Sequence, residues 1–254
     1  MRVATFNILH GRTVGDGVDP RRLQDCVRRI DPDVLSLQEV DCDQPRSDLT
    51  DLTAVAAEAM GAVDHRFVAA ISGTPGATWM AATGREQPGT AAYGIALLSR
   101  FPVASWQVVR LPRIAMRFPM YLPGPNRVAV VDEEPRAAVI AQLRAPWGGL
   151  TVANTHLSFV PGWNRRQLRR LIHDLRGFPG PRLLTGDLNM TPNAVRRWSG
   201  MRALAVAATF PAETPDRQLD HILTDDRRLR GGAVEAELMP ISDHRPLMVD
   251  LERD

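Results

Sequence analysis

The sequence predicts an α/β fold with more than one β-sheet. Two observations lead to this prediction. Short apolar runs typical of strands recur along all 254 residues, and a few segments with helical periodicity lie between them. No Gly/Ser-rich linker, composition break or strict repeat divides the chain, which favours one domain.

The first four elements alternate between strand and helix. Residues 2–9 form an apolar run that is predicted to be a strand ending at Asn7. Segment 18–30 is predicted to be a helix, because apolar residues recur at helical spacing after a proline suited to the first turn. A second strand is predicted within 32–40, where a near-continuous apolar run ends at Glu39, and a second helix, 52–60, is stopped by a glycine.

The rest of the chain is predicted to be mostly strand. One further helix is expected over 163–176, again from apolar residues at helical spacing. The next predicted strand begins at Leu183, the first residue of the motif LLTGDLNMTP. The other predicted strands are 93–99, 103–109, 137–144, 150–157, 218–224, 232–238 and 245–251. Two segments with neither periodicity, 72–92 and 112–127, are predicted to be irregular loops.

Composition places few limits on function. The content of 44% hydrophobic and 24% charged residues is ordinary for a globular protein, and a net charge of +2 sets no strong preference for a partner. Cys26 and Cys42 form neither a metal pattern nor a disulfide framework. The sequence has no secretory-type apolar segment and no 18-residue apolar span. We therefore expect a cytoplasmic monomer without a transmembrane segment.

Polar residues occur at or just beyond the ends of the predicted strands. Asp187 and Asn189 are two residues apart, so on an extended strand they would share a face. Six such positions suggest one shared cleft. They are Asn7, Glu39, His156, Asp187 with Asn189, Asp220 with His221, and Asp243 with His244. Carboxylates and carboxamides favour Mg²⁺ or Mn²⁺ over zinc, and histidines beside acids suit proton transfer and phosphate contact.

Each of these residues also has a simpler structural explanation. Asn7 alone is typical of a turn, and Glu39 could pair with a neighbouring arginine on the surface. His156 alone is more typical of a buried, hydrogen-bonded histidine. The remaining acids could cap strands or helices. The site would be absent only if all these separate explanations held at once. One shared cleft accounts for all the residues together, and this favours a functional site.

Eight short blocks carry a resemblance to a known family. They are ATFNI, LSLQEV, YGIALLSRFPV, EPRAAV, VANTHL, TGDLNMTP, QLDHIL and SDHRPL. Together and in this order, from residue 4 to residue 247, they resemble the endonuclease/exonuclease/phosphatase superfamily, which includes pancreatic deoxyribonuclease, abasic-site endonucleases, sphingomyelinases and inositol polyphosphate 5-phosphatases. The resemblance implies a four-layer α/β sandwich, with two mixed β-sheets packed face to face and helices outside, as one catalytic domain over residues 4–251.

The resemblance also implies a role for each site residue. Glu39 is the expected principal metal ligand, with Asn7 beside it and Asp243 completing the metal region. Asp187 would orient or deprotonate the attacking water, and Asn189 would bind the phosphate next to it. The other expected site residues are a carboxylate–histidine pair, a second histidine and a phosphate-binding arginine: Asp220 with His244, His156, and Arg136. The histidine of the pair would act either as a base or as a donor to a phosphoryl oxygen.

The expected activity is that of a Mg²⁺-dependent phosphodiesterase in the deoxyribonuclease/sphingomyelinase-like branch, with Mn²⁺ as an alternative ion. Water would attack phosphorus in line with the leaving oxygen. Two alternatives remain: a phosphomonoesterase acting on a nucleotide, sugar or inositol phosphate, and a catalytically silent binding module. A silent module should have lost Glu39, Asp187 or His244, and all three are present.

The substrate is expected to be a phosphate ester of a nucleic acid, a phospholipid head group or a small molecule. Two basic segments are candidates to contact it. The loop 112–127 contributes Arg113, Arg117, Phe118, Tyr121 and Arg127, and the helix 163–176 contributes Arg165, Arg166, Arg169 and Arg170. A charged helix face is usually only solvated, and a duplex-binding enzyme ordinarily has a stronger basic excess than +2. The overall charge therefore weakens a role in DNA repair.

Overall fold

The computed structural model describes residues 1–13, 17–114, 118–122, 127–131 and 133–253, with only the backbone described over 118–122 and 127–131. Four α-helices lie in the described part: α1 Pro20–Ile30, α2 Leu52–Met60, α3 Trp163–Leu175 and α4 Pro192–Ser199. The strands are β1 Arg2–Asn7, β2 Val34–Cys42, β3 Asp64–Gly73, β4 Trp79–Ala81, β5 Ala92–Ser99, β6 Val103–Arg110, β7 Phe118–Leu122, β8 Arg127–Val131, β9 Ala137–Ala145, β10 Gly148–His156, β11 Arg182–Asp187, β12 Arg202–Ala203, β13 Asp220–Thr224, β14 Leu229–Glu235 and β15 Leu247–Arg253. No helix among these residues is long and apolar enough to cross a membrane.

The strands form two large mixed sheets. The first has seven strands in the order β14-β15-β1-β2-β5-β3-β4, and the second has six in the order β12-β13-β11-β10-β9-β6. One parallel pair lies near the middle of each sheet, β1 with β2 and β10 with β11, and the other pairs given for these sheets are antiparallel. The carboxyl ends of β1 and β2 therefore meet at one edge, as do those of β10 and β11.

Three apolar clusters hold four layers together. The two sheets pack face to face through residues such as Val3, Leu97 and Leu183. Helices α1 and α2 cover the outer face of the first sheet, where Leu23 packs in the same cluster as strand residues. Helices α3 and α4 cover the second sheet, with Leu168 in a third cluster. Burial of the apolar face of each helix and both faces of each sheet drives this arrangement, and the predicted four-layer α/β sandwich is confirmed.

The loop predictions need correction. Strand β4 lies within 72–92, and β7 with the start of β8 lies within 112–127, where the two strands pair as an antiparallel hairpin. These short strands lack a long alternating pattern, and Pro119 lies inside β7, so local periodicity did not reveal them. Strands β3 and β12 and helix α4 were also not predicted. Of the residues expected to contact substrate in this loop, Arg117 lies outside the described residues.

Candidate active site

One pocket of about 520 Å³ lies at the edge where the carboxyl ends of the parallel strands meet. Asn7, His156 and Asp187 are the last residues of β1, β10 and β11. The side-chain nitrogen of Asn7 donates to Glu39 Oε1 at 3.0 Å and to Asp187 Oδ2 at 3.1 Å. Because β1 and β11 belong to different sheets, this amide joins the two sheets at the pocket.

Glu39 reaches the pocket through an irregularity in β2. The prediction that the strand ends at Glu39 is wrong, because β2 continues to Cys42. The register opposite β5 shifts between Gln38 and Val40, and Glu39 has a φ of 56°. Such a bulge adds a residue to one strand and changes the direction of its side chain. The apolar run alone contains no signal for it.

Asp187 and Asn189 converge because of a turn and not because they share a strand face. Strand β11 ends at Asp187, and Asn189 has a φ of 49°. Asp187 Oδ1 accepts a hydrogen bond from the backbone nitrogen of Asn189 at 3.0 Å, which stabilises the turn. The Asn189 side-chain nitrogen donates to Leu157 O at 3.0 Å and lies 3.3 Å from His156 Nε2.

Asp220 and His244 come to the same edge from the opposite chain direction. The prediction that they follow strand ends is wrong, because Asp220 begins β13 and His244 precedes β15. These strands run antiparallel to β11 and β1, so their starts lie beside the carboxyl ends of those strands. Asp220 Oδ2 lies 2.9 Å from His244 Nδ1. His221 points away from the pocket, with its Nε2 2.9 Å from Met190 O.

The electrostatics separate the proton affinities of His244 and Asp187. Burial alone would lower the pKa of His244, but the carboxylates of Asp220 and Asp187 raise it to about 10. Burial and the charge of Asp220 raise the pKa of Asp187 to about 7. His244 Nε2 lies 3.8 Å from Asp187 Oδ2. The pocket therefore places a cationic imidazolium beside a carboxylate that titrates near neutral pH.

His156 has the opposite protonation behaviour. The Arg136 Nη1 atom lies 3.1 Å from His156 Nδ1, and since an arginine can only donate, Nδ1 is the acceptor. Burial, Arg136 and His244 together lower the pKa of His156 well below 6.5. The ring is therefore neutral, with its hydrogen on Nε2, 3.5 Å from Asp187 Oδ2. Arg136 is itself buried and lies 3.7 Å from Glu133 Oε1.

Of the predicted metal ligands, Asn7 and Glu39 line the pocket, and Asp243 lies near enough to Glu39 to act on its pKa. Burial raises the pKa of Glu39, the hydrogen bond from Asn7 lowers it, and the nearby Asp243 raises it. Asn7 turns its amide nitrogen toward Glu39, while its oxygen accepts from Leu9 N at 3.2 Å. Two acids whose charges repel in a partly buried pocket fit a divalent cation, and oxygen donors favour Mg²⁺ or Mn²⁺.

A second group of potential ligands lies nearby. Asp187, Asp220 and His244 each offer a ligand atom, and these atoms lie within 4.8 Å of one another. The hydrogen bond between His244 and Asp220 already engages two of them, and a histidine ligand suits Mg²⁺ less well than oxygen does. Glu39 with Asp243 is therefore the better candidate for a hard cation.

Several pocket residues were not expected from the sequence. The rings of Phe159 and Phe210 form parts of the wall, and the Phe210 ring lies 4.8 Å from the His244 ring between centroids. Arg217 also lines the pocket, and its guanidinium lies 4.6 Å from the Phe210 ring centroid. Phe210 and Arg217 come together through an isolated bridge in an irregular segment, so no periodic pattern marks them.

Comparison with known proteins identifies the family. The profile of the Endonuclease/Exonuclease/phosphatase family matches residues 4–244. The chain therefore belongs to this family, as the eight sequence blocks indicated. The family includes metal-dependent phosphoesterases, nucleases and phosphatases.

Individual proteins that resemble this chain share only a modest part of its sequence. A UPF0294 protein from Vibrio cholerae is 31% identical over 127 residues, which cover 45% of this chain and 44% of the relative. The alignment thus spans less than half of that curated relative. An endonuclease/exonuclease/phosphatase from Beutenbergia cavernae has a structure with a TM-score of 0.74 at 24% identity, covering 100% of this chain and 71% of that one.

Two further structures share the fold at lower identity. A mannosyl-6-phosphatase from Bacteroides thetaiotaomicron has a TM-score of 0.66 at 16% identity and covers 99% of both chains. The human Nocturnin catalytic domain has a TM-score of 0.64 at 19% identity, covering 100% of this chain and 93% of that one. At these identities the similarity concerns the fold.

Proposed function

We propose that the protein is a divalent-metal-dependent phosphoesterase that hydrolyses a phosphodiester by in-line attack of water. The observation that carries the proposal is the pairing of Asp187 with His244. Asp187 has a pKa of about 7 and His244 a pKa of about 10, and His244 Nε2 lies 3.8 Å from Asp187 Oδ2. Two neighbouring groups with separated pKa values are typical of acid–base catalysis.

Asp187 is the proposed general base. A base works best when its pKa lies near the working pH, and that of Asp187 lies near neutrality. Its Oδ2 atom accepts a hydrogen bond from Asn7, and its Oδ1 atom accepts one from the backbone of Asn189. These bonds hold the carboxylate at the pocket, where it would orient a water molecule and take its proton.

His244 is the proposed donor to a phosphoryl oxygen. With a pKa of about 10 it is protonated at neutral pH, which favours this role over that of a base. Asp220 holds the ring through Nδ1 and leaves Nε2–H directed into the pocket. A preorganised cationic donor stabilises the charge that develops on the phosphoryl oxygens. Asp220 is thus a positioning residue.

The neutral His156 and Asn189 supply further donors. The Nε2–H group of His156 and the side-chain amide of Asn189 both line the pocket next to Asp187. We assign them to contact with the phosphate or the leaving oxygen. Arg136 donates to His156 Nδ1 and so sets its tautomer, which makes Arg136 a positioning residue as well as a pocket cation.

Glu39 and Asp243 would hold the metal ion, whereas the Asn7 oxygen is engaged by the backbone nitrogen of Leu9. The ion would supply charge neutralisation at the phosphoryl oxygens. Asn7 also keeps Glu39 and Asp187 in a common arrangement through its two donated hydrogen bonds.

The pocket walls support a diester over a monoester. Phe159 and Phe210 both line the pocket, and their apolar surface suits ester substituents on the phosphorus. A phosphodiester carries two such substituents, whereas a monoester carries one. The walls therefore suit a substrate that extends beyond the phosphate.

The test compares hydrolysis of bis(p-nitrophenyl) phosphate with that of p-nitrophenyl phosphate after treatment with a chelator and re-addition of Mg²⁺ or Mn²⁺. We expect metal-restored turnover with a preference for the diester. A preference for the monoester would replace the proposed substrate class. Turnover that persists without added metal would contradict metal dependence, and metal binding without turnover of either ester would favour the silent binding module.

A further inference from the structure

The near-neutral total charge conceals a strongly basic segment. Residues 151–200 contain eight arginines and two aspartates, whereas the rest of the chain contains 23 arginines and 27 acidic residues. One of the two aspartates, Asp187, lies in the active-site pocket, and the other, Asp174, pairs with Arg170 at 2.8 Å. The whole-chain charge is therefore a poor guide to what this surface binds.

The arginines of α3 and a tryptophan of α4 line one depression of about 490 Å³, here called the arginine surface. It is formed by Gly162, Arg165, Arg166, Arg169, Arg170 and Trp198. The guanidinium carbons of Arg165 and Arg169 lie 5.6 and 6.0 Å from the Trp198 ring centroid. Stacking uses the face of a guanidinium and leaves its N–H edge free to bind a phosphate with two hydrogen bonds.

The charge of this surface is only partly balanced by described residues. Arg165 with Arg169, and Arg166 with Arg170, are like-charged pairs four residues apart, a spacing that destabilises a helix. Of these four arginines, Arg170 alone forms an ion pair with a described residue. Anions bound along the helix would relieve this repulsion.

The arginine surface continues from the active site. The side-chain nitrogen of Asn164, in the first turn of α3, donates to the backbone oxygen of Asn189 at 3.0 Å. Phe159, which is 45% exposed and lines the active-site pocket, precedes Gly162 of the arginine surface by three residues. From Trp163 to Arg170 the helix rises about 10 Å. This length corresponds to about three nucleotide steps of 3.4 Å along one strand of a duplex.

We propose that the arginine surface binds the phosphates of a nucleic-acid strand that flank the phosphate in the active site. This inference rests on the proposed function, since it extends the same substrate across the protein. Several regularly spaced phosphates match several fixed guanidinium groups, whereas a small phosphorylated molecule offers too few. A membrane partner would require an apolar patch beside the charges. Of the exposed large apolar side chains in the described residues, Phe159 alone lines the active-site pocket or the arginine surface.

The test measures fluorescence anisotropy of a labelled 12-nucleotide single-stranded DNA as a function of salt. The double variant Arg165→Gln/Arg169→Gln is expected to bind roughly ten-fold more weakly at low salt, with a log–log salt slope reduced by about 1.4, because two phosphate contacts are lost. The matched control is Arg227→Gln/Arg228→Gln, two exposed arginines outside this surface, which should bind like the wild type. Circular dichroism verifies that both variants fold.

Four results would overturn the inference. The first two are unchanged affinity of the Arg165→Gln/Arg169→Gln variant and an equal loss in the control variant. The third is that the wild type binds phosphatidylserine vesicles and does not bind the oligonucleotide. The fourth is a dinucleotide that binds as tightly as the 12-nucleotide strand. Hydrolysis of bis(p-nitrophenyl) phosphate, measured separately on the wild type, distinguishes the two proposals. Turnover without oligonucleotide binding contradicts only this inference. Oligonucleotide binding without turnover contradicts the proposed function and leaves only the phosphate contacts of the arginine surface.

Discussion

The substitution Asp220→Asn tests how the site keeps His244 protonated. Asp220 is fully buried, and its Oδ2 atom lies 2.9 Å from His244 Nδ1. Asparagine has nearly the same shape but carries no charge. Since Asp220 is the main group that raises the pKa of His244 to about 10, its replacement should lower that pKa toward its ordinary value of 6.5.

The magnitude follows from the protonated fraction of His244. At pH 8 a group with a pKa of about 10 is roughly 99% protonated, whereas a group with a pKa of 6.5 is roughly 3% protonated. The turnover of the Asp220→Asn variant at pH 8 should therefore fall by up to about 30-fold. Asp187 stays ionised at this pH, because Asp220 raises its pKa and the substitution removes that effect.

The assay is the pH dependence of kcat on a phosphodiester from pH 5.5 to 11, together with an NMR titration of the histidines. The wild type should lose activity below about pH 7, where Asp187 takes a proton, and above about pH 10, where His244 loses one. In the variant, the loss of activity on the alkaline side should move from about pH 10 toward pH 6.5. A variant with the alkaline limb of the wild type would refute the role assigned to Asp220.

Three other substitutions test the metal site, a buried histidine and the strand packing. Glu39→Gln should shift the Mg²⁺ dependence of turnover to at least ten-fold higher concentration, and an unchanged metal curve would contradict its role as a ligand. Burial lowers the pKa of His221, so the wild type should lose stability as the pH falls below 6.5. In urea unfolding, the free energy of unfolding of His221→Gln should rise relative to that of the wild type by up to about 1.4 kcal/mol for each pH unit below 6.5. Gly186→Ala should destabilise the protein by about 3 kcal/mol, because Gly186 has a φ of 135° and an added Cβ would lie 1.9 Å from the backbone oxygen of Thr155. A change under 1 kcal/mol in the same assay would show that the strand can relax.

Local patterns predicted the elements that bury a continuous apolar face. The helices α1, α2 and α3 were located to within two residues at each end, since proline or glycine marks some of those ends and apolar spacing marks the helices themselves. Asn7 and Asp187 were placed correctly at strand ends. These features depend on a few neighbouring residues and are therefore visible in the sequence.

Features that depend on distant pairing were not predictable in this way. The bulge at Glu39 exists because of the pairing of β2 with β5, and Asp220 reaches the pocket because β13 runs antiparallel to β11. The short hairpin of β7 and β8 and helix α4 lack an extended periodic pattern. The roles assigned to individual site residues, the monomeric state and the cytoplasmic location stay predictions.

The most direct measurement compares the initial rates of the wild type, Asp187→Asn and Asp25→Asn on bis(p-nitrophenyl) phosphate at pH 7.5 with Mg²⁺. Asp25 is an exposed carboxylate on α1 and provides the matched control. The proposed mechanism predicts that Asp187→Asn lowers kcat at least 100-fold with an unchanged fold, and that Asp25→Asn equals the wild type. Retention of more than a tenth of the wild-type rate by a folded Asp187→Asn variant would contradict the assignment of Asp187 as the base.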